Sequence, residues 1–369
     1  MLGYIFISIV GLYILKHAVY LFAAGLNRET FPVPEPLPKI SVLVAARNEE
    51  KNIGECLRHL HALDYPQDKI SIHIGDDASE DRTAEVIKLF AADKPSFHYH
   101  RISDTLPGLR GKQNVLAQLF KPAQAEGSDY MLITDADIRV KPSWAKGMVA
   151  GFSDERTGMV SAPTCAEGKG LFSVVQFFEW LMFSFTDYVL TRLGMPVSGI
   201  GNNMAVSRRA YESTGGYENI PFSITEDYQL FRYMVLSGKW KFRFLFSLPV
   251  INLTRPAENF RGYFHQRRRW ILGGLHLPYY NFLLLGLDVL CVPALIGSYF
   301  LLPPGICNFM LCIKCAADFF MIATALRRAG QMNRLLYFPV YELYFNILMI
   351  LSPLLAFLPV SVIWKGRTY

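Results

Sequence analysis

What most limits the fold of this chain is where its apolar residues lie. Leu2 to Leu26 is almost free of charge, interrupted by Lys16 and His17, and its length matches the ~20 residues a helix needs to cross a bilayer. A second apolar block begins near Tyr279 and runs almost to the last residue. Pro303-Pro304-Gly305 and the polar run from Arg327 to Arg334 divide it into three candidate spans, Tyr280 to Leu302, Ile306 to Leu326 and Leu335 to Trp364. These blocks explain why 51% of the 369 residues are hydrophobic, a high share for a soluble protein. The first span lacks the basic start and short apolar core of a cleavable signal, so it reads as a retained anchor.

Basic residues orient the spans. Arg28, Lys39, Arg47 and Lys51 follow the first, Arg267 to Arg269 precede the second, and Arg327, Arg328 and Arg334 lie between the third and fourth; all belong on the cytoplasmic side. Four full crossings would leave Lys365 and Arg367 outside, so the last segment is expected to be tilted, kinked at Pro353 or short of a full crossing. The net charge of +6 is modest, and much of it sits where basic residues meet anionic lipid heads. No Lys- and Arg-rich run with interleaved aromatics is present, so nucleic acid is not an expected partner. Cys312 and Cys315 form a Cys-x-x-Cys inside a span without partners, which reads as inert membrane thiols rather than a zinc or redox site.

Between the apolar blocks the pattern changes. After a proline-rich linker at 28–39, Ile40 to Ala46 reads as a buried strand, and Arg47-Asn48-Glu49-Glu50 is expected to open a helix with Asn48 as its cap. Ile70 to Ile74, Phe97 to Ile102 and Met131 to Thr134 read as further strands separated by helices. Alternating strands and helices with short connections describe a doubly wound α/β sheet, in which ligands bind beyond the carboxyl ends of the strands. Arg47, Asp77, Lys112, Asp135 and Asp137 all fall at that edge. Asp135 and Asp137, two hard oxygen ligands one residue apart, suit Mg2+ or Mn2+, which one or two carboxylates hold while phosphate oxygens complete the shell.

Leu171 to Gly194 is long and apolar enough to imitate a span. Glu179 and Asp187 count against a crossing, each costing ~3 kcal/mol at a bilayer centre, and a helix at 171–194 lying against the domain or in the membrane interface is expected instead. Glu226 and Asp227 begin a helix, where the dipole favours carboxylates; they read either as a helix cap or as catalytic groups. Gln266-Arg267-Arg268-Arg269-Trp270 stands directly before the membrane block and reads either as a basic interface belt with an aromatic anchor or as part of a site.

Taken in order, Asp76-Asp77-x-Ser79, Gly111-Lys112, Asp135-x-Asp137, Thr225-Glu226-Asp227 and Gln266-x-x-Arg269-Trp270 resemble the membrane-bound family 2 glycosyltransferases. That group has the GT-A fold and includes cellulose and hyaluronan synthases and ceramide glucosyltransferase-like enzymes. The resemblance covers Ile40 to Trp270 and implies an anchor at 1–27, a cytosolic GT-A domain at 40–270 and a membrane domain of about three spans at 271–369. It also implies site roles. Asp77 would meet the base of a uridine nucleotide, with Ala45 and Arg47 bordering that pocket. Lys112 would face the diphosphate, and Asp137 with Asp135 would hold the metal bridging it. Asp227 would be the catalytic base, with Glu226 as the other carboxylate able to serve. Gln266, Arg269 and Trp270 would close over the donor phosphates and the acceptor entrance. Ala78 and Asn202 stand where many relatives have glycine.

The implied activity is metal-dependent, inverting transfer of a sugar from a UDP-sugar to an acceptor. Three apolar segments after the domain and no long cytosolic tail are lean for making and exporting a polymer, so a membrane lipid or lipid-linked saccharide is the expected acceptor. A processive polysaccharide synthase is the alternative, and a non-enzymatic membrane scaffold a third reading. The expected location is a bacterial plasma membrane with the catalytic domain in the cytosol. Asp288, Lys314, Asp318 and Glu342 lie in or near the spans, where ionisable groups are expensive. Lys314 and Asp318 are spaced to meet on one helix face, either as a mutually neutralised pair or as part of an acceptor path.

Overall fold

Strands and helices alternate from Ile40 onward, as the side-chain pattern requires. β1 (Ile40–Ala46) is an unbroken run of small and apolar residues, buried along almost its whole length, the pattern of a strand covered on both faces. α1 (Leu2–Gly25) precedes it, and α2 (Ile53–His61) follows, turning Ile53, Cys56, Leu57 and Leu60 inward at helical spacing. β2 (Ile70–Asp76), α3 (Thr83–Ala91), β3 (Phe97–Arg101), α4 (Gly111–Ala125) and β4 (Tyr130–Asp135) continue the series. α5 (Trp144–Ala150), β5 (Thr157–Ser161) and β6 (Thr164–Ala166) lead to α6 (Leu171–Arg192). Then come β7 (Asn203–Ser207), α7 (Arg208–Ser213), α8 (Glu226–Phe231), β8 (Lys241–Phe244) and β9 (Asn252–Thr254). α9 (Phe260–Gly274), α10 (Tyr279–Ser298), α11 (Pro304–Ala329) and α12 (Phe338–Phe357) follow. The computed structural model describes residues 1–26, 31–357, 363–364 and 367–368, with side chains described as far as Leu351. Arg28 and Lys365, used above to orient the spans, and the side chain of Pro353 lie outside what is described.

The seven-stranded sheet has the order β3-β2-β1-β4-β7-β5-β8. β3, β2, β1 and β4 are parallel, so the chain winds outward from β1 to β3 and then returns to β1's other side as β4. The order therefore reverses between β1 and β4, the position where α/β sheets bind ligands beyond the strand ends. The doubly wound expectation holds for these four strands but not for β7, which is antiparallel to both β4 and β5. Because β7 runs the other way, the loop entering it lies at the carboxyl end of β4. Val42, Val44, Ile72, Ile74 and Leu132 form the centre of the core beneath that edge.

The helix expected to open at Asn48 starts at Ile53 instead. Asn48 takes a left-handed φ of 52°, which ends regular structure and which asparagine tolerates better than most residues. Its N–H donates to Ser79 Oγ at 3.0 Å and its Oδ1 accepts from Glu80 N at 2.9 Å. Asn48 thus ties the loop after β1 to the loop after β2 rather than capping a helix.

The chain groups into two units, passing between them at Gly168/Lys169, Val197/Ser198 and Pro256/Ala257. One contains the sheet with α2 to α5, α7 and α8; the other contains α1, α6 and α9 to α12. The boundary expected at 270 is thereby moved, since α9 with Gln266 to Trp270 and the 171–194 segment both group with the apolar helices. α6 packs against α1, α11 and α12, burying Phe177, Phe178, Leu181 and Phe185. Its acidic groups are satisfied inside that unit: Glu179 pairs with Arg267 at 2.6 Å, and Asp187 accepts from Val197 N at 3.3 Å. Among the described residues four helical segments are long and apolar enough to cross a membrane, Leu2–Gly25, Tyr279–Ser298, Pro304–Ala329 and Met332–Leu351. α6 is not one of them.

Candidate active site

Two loops at the reversal point of the sheet carry the first half of the site. Ala45 stands in register with Gly75 on one side and Asp135 on the other, which fixes the separation of the β1, β2 and β4 exits. Arg47 reaches across and donates to the backbone oxygens of Asp77 and Ala78 at 2.5 and 3.2 Å. Asp76 anchors the same loop, accepting from Ser79 N and from Tyr99 Oη, both at 3.0 Å. Ala78 has a left-handed φ of 49°, a conformation that glycine adopts without steric cost, at the position where glycine is common in the resembling family. Asp77 is buried beside it. The placement of Asp77, Arg47 and Ala45 around one loop pair agrees with the sequence-based grouping.

The second half centres on Lys112, at the start of α4. Its side chain is only 11% exposed, with Nζ 2.5 Å from Asp135 Oδ1 and 3.1 Å from Glu226 Oε1. Nζ also donates to the backbone oxygen of Gly201 at 3.1 Å. Burial works against the ammonium, but Asp135 and Glu226 outweigh it and hold the Lys112 pKa above the ordinary lysine range. Glu226 and Asp227 do occupy the first turn of α8, yet the hydrogen bonds of Asp227 go beyond helix capping. Its Oδ1 accepts from Tyr228 N and its Oδ2 from Gly201 N, both at 2.8 Å. Burial, and then the charge of Glu226, push the Asp227 carboxyl up to about 6, against the opposing pull of Lys112 and of the two backbone N–H groups. A carboxylate with a pKa near the working pH is the kind that accepts a proton efficiently.

Gly201 is the functional residue that motif reading passed over. A Cβ there would lie 2.6 Å from Asp227 Oδ2 and 2.7 Å from Asp227 Cβ, so only glycine admits this approach. The antiparallel direction of β7 brings it here: Asn203 pairs with Thr134, and Thr134 Oγ1 donates to the Asn202 oxygen at 3.1 Å. The glycines at 199 and 201 were the signal in the sequence, without a partner to give them meaning. Gln266, Arg269 and Trp270 do not belong to this unit. They lie on α9 among the apolar helices, where Trp270 stacks edge-on with Trp180, ring centroids 4.8 Å apart. Arg267 and Arg268, not singled out by the motif, are the buried members of that run, and Arg267 holds Glu179 and lies 4.2 Å over the Trp270 ring.

The donor set fits a magnesium- or manganese-type cation. Among the described residues no group of three or more His, Cys, Asp or Glu could hold a metal by itself, and such cations need only one or two carboxylates when phosphate completes the shell. Asp135 and Asp137 are partly exposed at the end of β4. Asp137 Oδ2 accepts from Thr254 Oγ1 on β9 at 3.2 Å. Around Lys112, the carboxylates of Asp135, Glu226 and Asp227 leave an excess of negative charge that a divalent cation would offset.

Comparison with known proteins agrees with this architecture. A beta-monoglucosyldiacylglycerol synthase of Trichormus variabilis is 30% identical over 252 residues, 67% of this chain and 52% of that protein. Its counterpart in Synechocystis sp. is 28% identical over 256 residues, covering 67% and 50%. The poly-beta-1,6-N-acetyl-D-glucosamine synthase of Staphylococcus aureus is 26% identical over 252 residues, covering 68% and 58%. The chain thus spans about half the length of the curated relatives it matches. A solved mannosyltransferase from Pyrobaculum calidifontis, in complex with GDP-Man and Mn2+, superposes with a TM-score of 0.60 at 19% identity, covering 93% of this chain and 99% of that one, which establishes the GT-A fold. The family model for glycosyl transferase family 21 matches residues 4–369, and with the membrane helices and the Lys112–Asp135–Asp227 constellation in place, the chain belongs to that family.

Proposed function

We propose that this glycosyltransferase moves a single sugar from a UDP-sugar to a membrane lipid, with inversion at the anomeric carbon. The observation that carries the reading is the convergence of Asp135 and Glu226 on Lys112, and of Lys112 and Asp227 on the Gly201 backbone. Asp227, oriented by the Gly201 and Tyr228 N–H groups, takes the proton of the acceptor hydroxyl as that oxygen attacks. Such a base contributes about a hundred- to ten-thousand-fold in rate. One base and one displacement opposite the leaving group give inversion. Lys112 turns from Asp135 toward the diphosphate and offsets the charge that develops as the sugar–phosphate bond breaks. Arg47, Ala45 and Asp77 border the nucleoside, and Gln266, Arg269 and Trp270 serve the diphosphate and the acceptor entrance. A divalent cation held by Asp137 and Asp135 would supply Lewis-acid stabilisation to the leaving diphosphate. The sheet unit lies on the cytosolic side of a bacterial plasma membrane.

Relatives whose printed activity is monoglucosyldiacylglycerol synthesis support a lipid acceptor. The test supplies detergent-solubilised protein with radiolabelled UDP-sugars and a total lipid extract, with and without Mn2+ or Mg2+. Label entering the organic phase only when metal is present is the expected result. A ladder of long water-soluble chains would instead establish a processive synthase, and absence of UDP release under every condition would remove the enzymatic reading.

A further inference from the structure

The buried charges of the apolar helices close on one another. Lys16 of α1 pairs with Asp288 of α10. Tyr13 Oη donates to Asp318 Oδ1 of α11 at 2.6 Å, and His17 Nε2 lies 3.2 Å from the same oxygen. Lys314 stands 2.8 Å from Asp318 Oδ2, forming the i,i+4 pair expected from spacing, and also pairs with Glu342 of α12. In the sheet unit, Gln113 is a buried polar side chain that the transfer chemistry does not use, and it closes instead on the segment leading to Glu226 and Asp227.

That segment, residues 220–225, forms neither helix nor strand before the first turn of α8. Its backbone groups must find partners outside a regular ladder, and Gln113 supplies two. Its Nε2 donates to the Ile220 oxygen at 3.2 Å, and its Oε1 accepts from Ser223 N at 3.1 Å. A primary amide carries a donor and an acceptor side by side, so this side chain takes the place of a neighbouring strand. The two bonds also fix how the amide is turned, since exchanging its ends would set oxygen against oxygen and N–H against N–H. From Ser223 the series continues: Ser223 Oγ accepts from Thr225 N at 3.1 Å, and the Thr225 oxygen accepts from Gln229 N of α8 at 3.1 Å. An unbroken path of hydrogen bonds therefore runs from Gln113 to the helix that carries Asp227.

The rest of the first turn of α4 reaches the same stretch. Arg110 lies 6.0 Å from the centre of the Phe222 ring, and Lys112 Nζ lies 3.1 Å from Glu226 Oε1. Gln113 itself is only 1% exposed, on a helix anchored by buried Val115, Leu116, Leu119 and Phe120. Its amide is thus presented from a rigid support, the one that also presents Lys112. Asp227 stands four residues beyond Ser223, so releasing that backbone would shift its carboxylate against the Gly201 N–H that orients it. We propose that Gln113 is a positioning residue for sugar transfer: by fixing the backbone at Ile220 and Ser223 it holds Asp227 in place for the acceptor hydroxyl, while the same helix turn presents Lys112 to the donor. The assignment rests on Asp227 as the base.

Gln113→Met keeps the length of the side chain and removes both bonds. Its kcat for transfer should fall ten- to a hundredfold, the order of penalty for a displacement of about 1 Å at a reacting group, while KM and the calorimetric Kd for UDP-sugar stay within twofold. Placed in an Asp227→Asn background, the same substitution should cost less than twofold, because a residue that acts through the base then has nothing left to position. A glutamine that only stabilises the fold would lower both backgrounds equally, and equal losses would overturn the proposal. Gln113→Glu, which keeps the volume but sets an oxygen against the Ile220 oxygen, should repeat the loss and takes over the cycle if Gln113→Met does not fold. Apart from turnover, amide hydrogen exchange in the peptide 220–228 should quicken at least tenfold in either variant, with β1 and β4 unchanged, and unaltered exchange there would also overturn it. Transfer at the parental rate by Asp227→Asn would remove the base reading and this assignment together, whereas equal losses alongside a crippled Asp227→Asn would remove the assignment alone.

Discussion

Each unit buries a lysine among carboxylates, and the two clusters are completed differently. Around Lys112, three carboxylates converge at strand and helix ends on loops, and two of them, Asp135 and Glu226, contact the ammonium directly. The cluster carries surplus negative charge at a rim where a ligand can reach it. Around Lys16 and Lys314, the partners come from rigid helices, and Tyr13 and Asn346 supply further hydrogen bonds. That cluster is nearly closed upon itself. Under the proposed function a cation and a diphosphate would complete the loop cluster, whose surplus charge is negative. A helix cluster whose lysines and carboxylates pair with one another is built to persist.

The largest expected effect tests the loop cluster. Asp227→Asn should lower transfer about a hundred- to ten-thousand-fold while UDP-sugar binding, measured by calorimetry, persists. In the parent protein kcat/KM should fall about tenfold per unit below pH 6, because a carboxyl pushed up to about 6 is protonated there and cannot accept the acceptor's proton. The residual activity of Asp227→Asn should lack that acidic limb. A pH profile unchanged by the substitution would remove Asp227 as the base.

A matched pair of lysine substitutions addresses the contrast directly. Lys16→Met leaves Asp288, 19% exposed in its side chain, without its cation. The loss should reach about 3 kcal/mol of stability, since breaking a buried pair strands a charge, and Mn2+ should not restore the unfolding temperature. Lys112→Met removes the ammonium that competes for Asp135. Freed of a charge-assisted contact of ~1.5–3 kcal/mol, the site should bind Mn2+ about tenfold more tightly without nucleotide, as read by the paramagnetic signal of free Mn2+. Equal responses of the two variants to Mn2+ would erase the distinction between the clusters.

Gly201→Ala should cost roughly ten- to a hundredfold in transfer, because the new Cβ would lie 2.6 Å from Asp227 Oδ2 and displacing a base by about 1 Å carries that order of penalty. Donor binding should change little, which assay of KM against kcat would reveal. The smallest effect is expected at Ala78, whose φ of 49° is strained for a residue with a Cβ. Ala78→Gly should stabilise the protein by about 1 kcal/mol at most, seen as a small rise in the thermal midpoint.

Much of this was legible in the residues themselves. The four spans, the parallel strands β1 to β4 and the rim carrying Arg47, Asp77, Lys112, Asp135 and Asp137 follow from hydrophobic periodicity and from acidic or basic residues at strand ends. The pairing of Lys314 with Asp318 follows from helical spacing. Asn48 was misread because its left-handed backbone depends on bonds to Ser79 and Glu80, which lie more than thirty residues away. Gly201 was passed over because its meaning depends on a side chain twenty-six residues later.

The sequence by itself determined the membrane spans, the winding of the parallel strands and the set of charged groups available for catalysis, because each is written in local periodicity and residue type. Tertiary structure alone decided which of those charges meet. The antiparallel direction of β7 delivered Gly201 to Asp227, and the packing of α1 against α10 and α11 turned scattered ionisable residues into one linked set of ion pairs. Such meetings depend on strand direction and helix facing, which arise from burial summed over the whole unit rather than from any stretch of the chain.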